Sequence, residues 1–213
     1  MKTVGIIGSG NVGKALAVGF IGRGYKTTLS SRSDVKRKAL EKEIESLETD
    51  TPENTAAKNN LIVFAVKGME AKKALEEIGV ENLSGKTVID TTNPISDAGP
   101  VNGILPYFTS PNKSLMEELQ DLAPGAKFVK CFSCVGAAHM VNPQFENRPT
   151  MFICGDDEQA KNQVEGILEE FGWDSEDLGN IEAARAIEPL AMLWCIPGFR
   201  ENRWNHAFKL LKK

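Results

Sequence analysis

The segment Gly8-Ser9-Gly10-Asn11-Val12-Gly13 constrains this chain more than any other, because of what stands on either side of it. Before it runs Thr3-Val4-Gly5-Ile6-Ile7, a short β-type apolar stretch. After it Val12, Ala15, Leu16, Gly19 and Phe20 repeat at i, i+3, i+4, i+7 and i+8, the pattern of an amphipathic helix. Strand, glycine turn and helix in that order make the phosphate-binding turn of dinucleotide-binding folds. Gly8 permits the tight turn, Gly10 lets the backbone approach a pyrophosphate, and Gly13 lets the helix pack on the strand. The helix N-terminus then offers free N–H groups and its positive dipole end to the phosphates.

The remainder of the chain repeats the alternation. Apolar runs at Lys26–Leu29, Leu61–Val66, Thr87–Asp90, Phe128–Phe132 and Met151–Cys154 read as strands. Leu40, Ile44 and Leu47 recur at helical spacing, as do Ala160, Val164, Ile167, Leu168 and Phe171 behind a capping region, Gly155-Asp156-Asp157. The expected fold is therefore α/β: a Rossmann-like, doubly wound, mostly parallel sheet with a small C-terminal helical segment. Asn93–Pro111 holds four of the ten prolines with Gly99 and Gly103, and reads as a long loop. It follows a strand directly, where open α/β sheets place their ligands. From Ile181 to Ile196 the chain is apolar nearly all round, so this helix is expected in the core or against a second subunit. Pro189 is expected to kink it and Pro197 to end it. Its charges, Glu182, Arg185 and Glu188, read as an exposed ion-pair stripe.

Composition narrows the class. A net charge of −4 on 213 residues argues against a nucleic-acid partner, which needs a basic face. No apolar stretch approaches the roughly 18 residues of a membrane span, and the start lacks the apolar core and cleavage site of a signal peptide. A cytoplasmic protein with no membrane partner is expected. Cys131, Cys134, Cys154 and Cys195 give no second pair for a zinc site, and no metal is expected. Cys131 and Cys134 have CxxC spacing but fall in a run that reads as a strand, where i and i+3 point to opposite faces. They are read as structural thiols rather than a redox pair.

The end of the second strand selects the nucleotide. A carboxylate there would grip the ribose 2′-hydroxyl of NAD, whereas this chain has Ser31-Arg32-Ser33-Asp34, then Lys36, Arg37 and Lys38. Hydroxyls and a guanidinium suit a 2′-phosphate. NADP(H) is the expected cofactor, read by Ser31, Arg32, Ser33 and Lys36. Asp34 is the rival for NAD but stands later, placed to cap the next helix. Residues 1–140 are then an NADP-binding Rossmann domain, and 141–213 a small C-terminal α/β segment packed on it that completes the site. No catalytic acid stands out. Tyr25 and Tyr107 are followed four positions on by Leu29 and Pro111 rather than lysine, and His139 and His206 are the two imidazoles. Reduction of a simple carbonyl normally needs a proton donor, while hydride transfer between stacked rings needs close approach. The small-molecule redox partner is therefore expected to be a ring cofactor or a metal.

Taken together these residues resemble the NADP oxidoreductases dependent on coenzyme F420, a deazaflavin. The wider group includes the cytosolic-facing domains of six-transmembrane ferric reductases. The resemblance rests on Gly8–Gly13, on Ser31-Arg32 with Lys36, and on Asp90-Thr91-Thr92-Asn93-Pro94. It continues through Val129-Lys130-Cys131-Phe132, Gly136-Ala137-Ala138-His139, Cys154-Gly155-Asp156-Asp157 and Ala184-Arg185-Ala186-Ile187-Glu188. It implies NADPH held by Ser9, Gly10, Asn11 and Val12 and by Ser31, Arg32 and Lys36. Val66 and Lys67 would flank the crossing from adenine to nicotinamide, with Gly136 and Ala137 near the nicotinamide. A second ring, coenzyme F420 or a flavin, would stack in a pocket built from Thr92, Asn93, Pro94 and Cys134 to Ala138. Relatives often carry Ala-Phe-Asn-Thr in place of Cys131-Phe132-Ser133-Cys134, which leaves the acceptor open. The alternatives are a non-catalytic NADP-binding sensor or regulatory protein and, third, a small hydroxyacid or imino-acid dehydrogenase, a class that usually adds a large helical domain. The helix over 181–196 is the expected face of a homodimer.

Overall fold

Among residues 2–213, which the computed structural model describes, the strands are β1 (Thr3–Ile7), β2 (Lys26–Ser30), β3 (Glu48–Asp50), β4 (Leu61–Phe64), β5 (Thr87–Asp90), β6 (Lys127–Lys130), β7 (Thr150–Ile153) and β8 (Asp174–Asp177). The first six form one sheet in the order β3-β2-β1-β4-β5-β6, every neighbouring pair parallel. β7 and β8 pair in parallel beside it, tied to β6 by one antiparallel bridge, Lys130 with Cys154. The connections are α1 (Asn11–Ile21), α2 (Asp34–Glu43), α3 (Pro52–Lys58), α4 (Gly68–Ile78), α5 (Leu115–Leu122) and α6 (Glu158–Phe171), and α7 (Ala184–Glu201) follows β8. This is the doubly wound Rossmann-like sheet that the sequence implies. Its strand order reverses between β1 and β4, the place where such sheets bind ligands.

Adjacent strand residues point to opposite faces, which splits the core in two. Ile6, Leu29, Val63, Ile89 and Val129 pack with Leu16 and Phe20 of α1 and with Val164, Leu168 and Phe171 of α6. Ile7, Ile62, Phe64, Val88 and Phe128 pack with Leu75 of α4 and Leu119 of α5. Burial on both faces is why β1, β4 and β5 read as continuous apolar runs. Both clusters draw on residues beyond 140: Met151 and Ile153 join the first, Cys154 and Ile187 the second. Among the described residues no helix is long and apolar enough to cross a membrane.

Several local features depart from the sequence reading, each for a local reason. α2 stops at Glu43, and Ile44 and Leu47 stay buried beyond it because Ser46 turns the chain with φ of 63°. Ser33, not Asp34, caps α2: its Oγ accepts from Lys36 N at 3.3 Å, and Asp34 is already helical. The Asp34 carboxylate pairs instead with Arg37 at 2.8 Å and Lys38 at 3.5 Å. β6 ends at Lys130 and Phe132 takes φ of 58°, so the CxxC lies beyond the strand and the alternation argument does not govern it. The four cysteines are nonetheless free thiols. Burial pushes Cys134 up to about 12 and Cys131 well above the ordinary thiol range, so neither presents a thiolate. Pro197 does not end the last helix. After one 3-10 turn at Ile181–Ala183, α7 runs through Pro189 and Pro197 to Glu201. The chain then folds back so closely that a Cβ on Gly198 would meet the Trp204 ring at 2.2 Å.

The expected charge stripe on the last helix does not form, because Glu188 is buried at 2% exposure. It meets Lys130 and Asp90, both fully buried: Lys130 Nζ lies 2.6 Å from Asp90 Oδ2 and 2.8 Å from Glu188 Oε1, and donates to Thr92 O at 2.9 Å. The Lys130–Asp90 contact is a fully buried ion pair. Asp90 Oδ1 accepts from Thr92 N and Thr92 Oγ1, and Glu188 accepts from Leu115 N and Met116 N, capping α5 from across the core. Burial disfavours the ammonium, but the two carboxylates outweigh it and hold Lys130 above the ordinary lysine value. Tyr107, in the long loop, donates to Glu188 O at 2.7 Å and pins that loop to α7. Arg185 Nε donates to Glu117 Oε2 at 2.9 Å, holding the Glu117 carboxyl down at about 2. Glu182 alone of the three charges is an exposed acid.

Candidate nucleotide-binding site

The glycine turn is built by close packing at two glycines and by open space at the third. Gly8 has φ of 111°, and a Cβ there would lie 2.2 Å from Ala65 O. A Cβ on Gly13 would lie 1.8 Å from Gly8 O, so the tight approach is of helix to turn. Gly8 N donates to Ser30 Oγ at 3.2 Å, fixing the turn to β2. Gly10 is different: φ is −83°, and nothing lies within 4 Å of its Cβ position. It forms the N-cap of α1 with no side-chain cap and no acid in the first turn. By contrast α2, α3, α5 and α6 are each capped by their own Ser, Thr or Asp. α4 also starts without a side-chain cap, at Lys67, and its Gly68 sits so near Asn93 that a Cβ would come 1.9 Å from Asn93 O. Two helix N-termini without side-chain caps thus stand at the switch point; that of α1, with no acid in its first turn, is the favourable setting for an anion, whereas α4 carries Glu70 there.

Between them lies a cleft of 450 Å³. Gly8, Ser9, Gly10, Ser31, Arg32, Ser33, Lys36, Val66 and Lys67 line it, as positions singled out in the sequence. Asn11, Val12 and Gly13 stand in the first turn of α1 and do not line it; Thr92, Asn93 and Pro94 follow β5, and Gly136 and Ala137 lie beyond β6. α4 contributes Glu70, Lys73, Ala74 and Glu77, which sequence reasoning missed. Their i, i+3, i+4, i+7 spacing was the available signal, since Ala71, Leu75 and Ile78 bury the other face of that helix. Arg32 Nη1 lies 3.3 Å from both carboxylate oxygens of Glu77, and Lys73 Nζ lies 3.9 Å from Glu77 Oε1. Of the basic run on α2, Lys36 lines the cleft, Arg37 braces the loop by donating to Ser31 O at 2.7 Å, and Lys38 pairs with Asp34.

Outside the lining of this cleft, Asn93 Nδ2 donates to Ser133 O at 2.8 Å and joins the segments that leave β5 and β6. Asn93 Oδ1 and Ser133 Oγ are both buried without a partner. Leaving such atoms unpaired costs about 1–3 kcal/mol each unless something else meets them. Gly136 lies under Trp194 of α7, where a Cβ would meet the ring at 2.6 Å. Trp194 was not foreseen, because only the fold carries α7 to this place. Its ring stacks on His206 with centroids 5.0 Å apart.

Residues 3–94 match the family described as NADP oxidoreductase, coenzyme F420-dependent. Over this segment the chain is similar to that family. The metalloreductase STEAP3 of Rattus norvegicus is 29% identical over 199 residues, 91% of this chain and 38% of the relative. The F420-dependent NADP reductase of Methanocaldococcus jannaschii is 25% identical over 171 residues, 75% of this chain and 70% of the relative. A candidate F420-dependent NADP reductase from Arthrobacter sp. FB24 superposes with a TM-score of 0.91 at 28% identity, covering 100% of both chains. The chain spans little more than a third of the length of the metalloreductase, at 38%. The family and the last two relatives are named for NADP-linked redox chemistry, in keeping with the resemblance the sequence carries.

Proposed function

We propose that this chain is an NADPH-dependent oxidoreductase, moving a hydride between NADP(H) and a ring acceptor such as coenzyme F420 or a flavin, or reducing a ferric acceptor. The observation that carries the reading is the cleft in which the uncapped start of α1 and the open space at Gly10 meet Arg32 and Lys36. The residues fit the cofactor at three points. Free N–H groups at the start of α1 suit a pyrophosphate; Ser31, Arg32, Lys36 and Lys73 suit a 2′-phosphate. Asn93 Oδ1 and Ser133 Oγ, an acceptor and a hydroxyl donor, suit the two ends of a carboxamide. NADPH supplies a hydride from its nicotinamide ring. The chain's part is to anchor and orient: Gly136, which Trp194 covers on one side, and Ala137 are small residues that would let two rings approach. Thr92, held by Asp90 and Lys130, fixes the start of Asn93 and Pro94.

The test is nucleotide oxidation, followed by absorbance, with a deazaflavin, flavins and ferric chelates as acceptors. Turnover is expected with at least one, and NADPH is expected to outperform NADH by about ten-fold or more, as one charge-assisted bond of roughly 1.5–3 kcal/mol allows. NADPH binding without turnover on any acceptor would instead support the sensor reading. A second copy docked along α7 belongs to the same proposal, supported by Leu193 at 54% and Phe199 at 45% exposure. Sedimentation should give a dimer mass that Leu193→Glu reduces to a monomer; a wild-type monomer at micromolar concentration removes this part.

A further inference from the structure

Arg32 and Glu77 stand on opposite walls of the nucleotide cleft, one after β2 and the other on α4, and their contact crosses its mouth. Glu77 has little structural reason to be there. It is on the polar face of α4, away from buried Ala71, Leu75 and Ile78, and exposed ion pairs of this kind add little stability. What it does have is position. Both its oxygens face the guanidinium expected to read a 2′-phosphate, and Lys73 stands one helical turn back on the same face.

A 2′-phosphate brought to Arg32 must displace this carboxylate or share the guanidinium with a like charge. A bare 2′-hydroxyl meets no such conflict and finds an acceptor in the carboxylate. On the reading that this cleft binds NADP(H), on which the inference rests, we infer that Glu77 is a specificity-determining residue. It occupies Arg32 while no phosphate is present and narrows the discrimination between phosphorylated and unphosphorylated nucleotides.

Calorimetry with adenosine 2′,5′-bisphosphate and with 5′-AMP tests this on the wild type, Glu77→Gln, Arg32→Ala and the double variant. Glu77→Gln is expected to tighten the 2′-phosphorylated ligand by about three- to ten-fold, more at low salt, and to leave AMP unchanged or weaker. In the Arg32→Ala background that gain should fall by more than half. An unchanged affinity, an equal change for both ligands, or a gain undiminished without Arg32 overturns the role of Glu77. A wild type that binds the two ligands equally overturns the NADP reading itself, and the inference with it.

Discussion

Gly10→Val is expected to lower NADPH affinity by more than about a hundred-fold while leaving the melting temperature close to that of the native chain. The backbone at Gly10, with φ of −83° and ψ of −170°, is one that a β-branched residue adopts readily. Nothing lies within 4 Å of the new Cβ, so folding meets no obstacle. The branched side chain fills the space through which a pyrophosphate reaches the first N–H groups of α1. Losing two charge-assisted hydrogen bonds, at roughly 1.5–3 kcal/mol each, gives the stated factor. Calorimetry and a thermal melt on the same sample decide it. A folded variant that binds NADPH as the native chain does removes the cofactor assignment.

Lys130→Met is expected to cost about 3–5 kcal/mol of stability, because it leaves Asp90 and Glu188 buried without their counter-charge. For a domain of this size, at about 2–4 °C per kcal/mol, the midpoint should fall by about 6–20 °C. Thr92 O loses its donor in the same step, so the segment after β5 should loosen with it. The Lys130 pKa is raised in the fold, so the ammonium's contribution is complete at neutral pH. That contribution is lost only as pH climbs beyond the ordinary lysine value and through the raised one. Melts of both proteins at neutral pH read the difference. An unchanged midpoint would mean that the three charges do not meet in a dry core.

The parts of this fold legible in the sequence are those whose cause is local. β1, the glycine turn and α1 are contiguous, and burial on both faces writes β4 and β5 as apolar runs. β3 and β8 are Glu48-Thr49-Asp50 and Asp174-Ser175-Glu176-Asp177, and no periodicity marks them as strands. Each lies at the end of its sheet and owes its conformation to the strand beside it. Glu188 reads as a surface charge because its partners, Lys130 and the amides of Leu115 and Met116, are supplied by distant elements. The Arg32 end of the cleft is half visible in the sequence. Ser31, Arg32 and Lys36 follow β2 in sequence, while the opposite wall on α4 becomes visible only once β1 and β4 are known to be neighbours. The Gly136 end was placed by position along β6, and nothing in the chain announced that Trp194 would cover it.

The three glycines of the first turn do not carry the same information about descent. Gly8 is fixed by Ala65 O and Gly13 by Gly8 O, contacts that exist whether or not a nucleotide is ever bound. Selection for folding alone would keep both. A Cβ at Gly10 would meet nothing within 4 Å, so the fold itself does not require glycine there. A lineage that abandoned its nucleotide would go on displaying the outer pair while position 10 drifted freely toward larger side chains. On the reading that the cleft binds NADP(H), a larger residue at that one position would mark a chain that keeps the scaffold without the nucleotide.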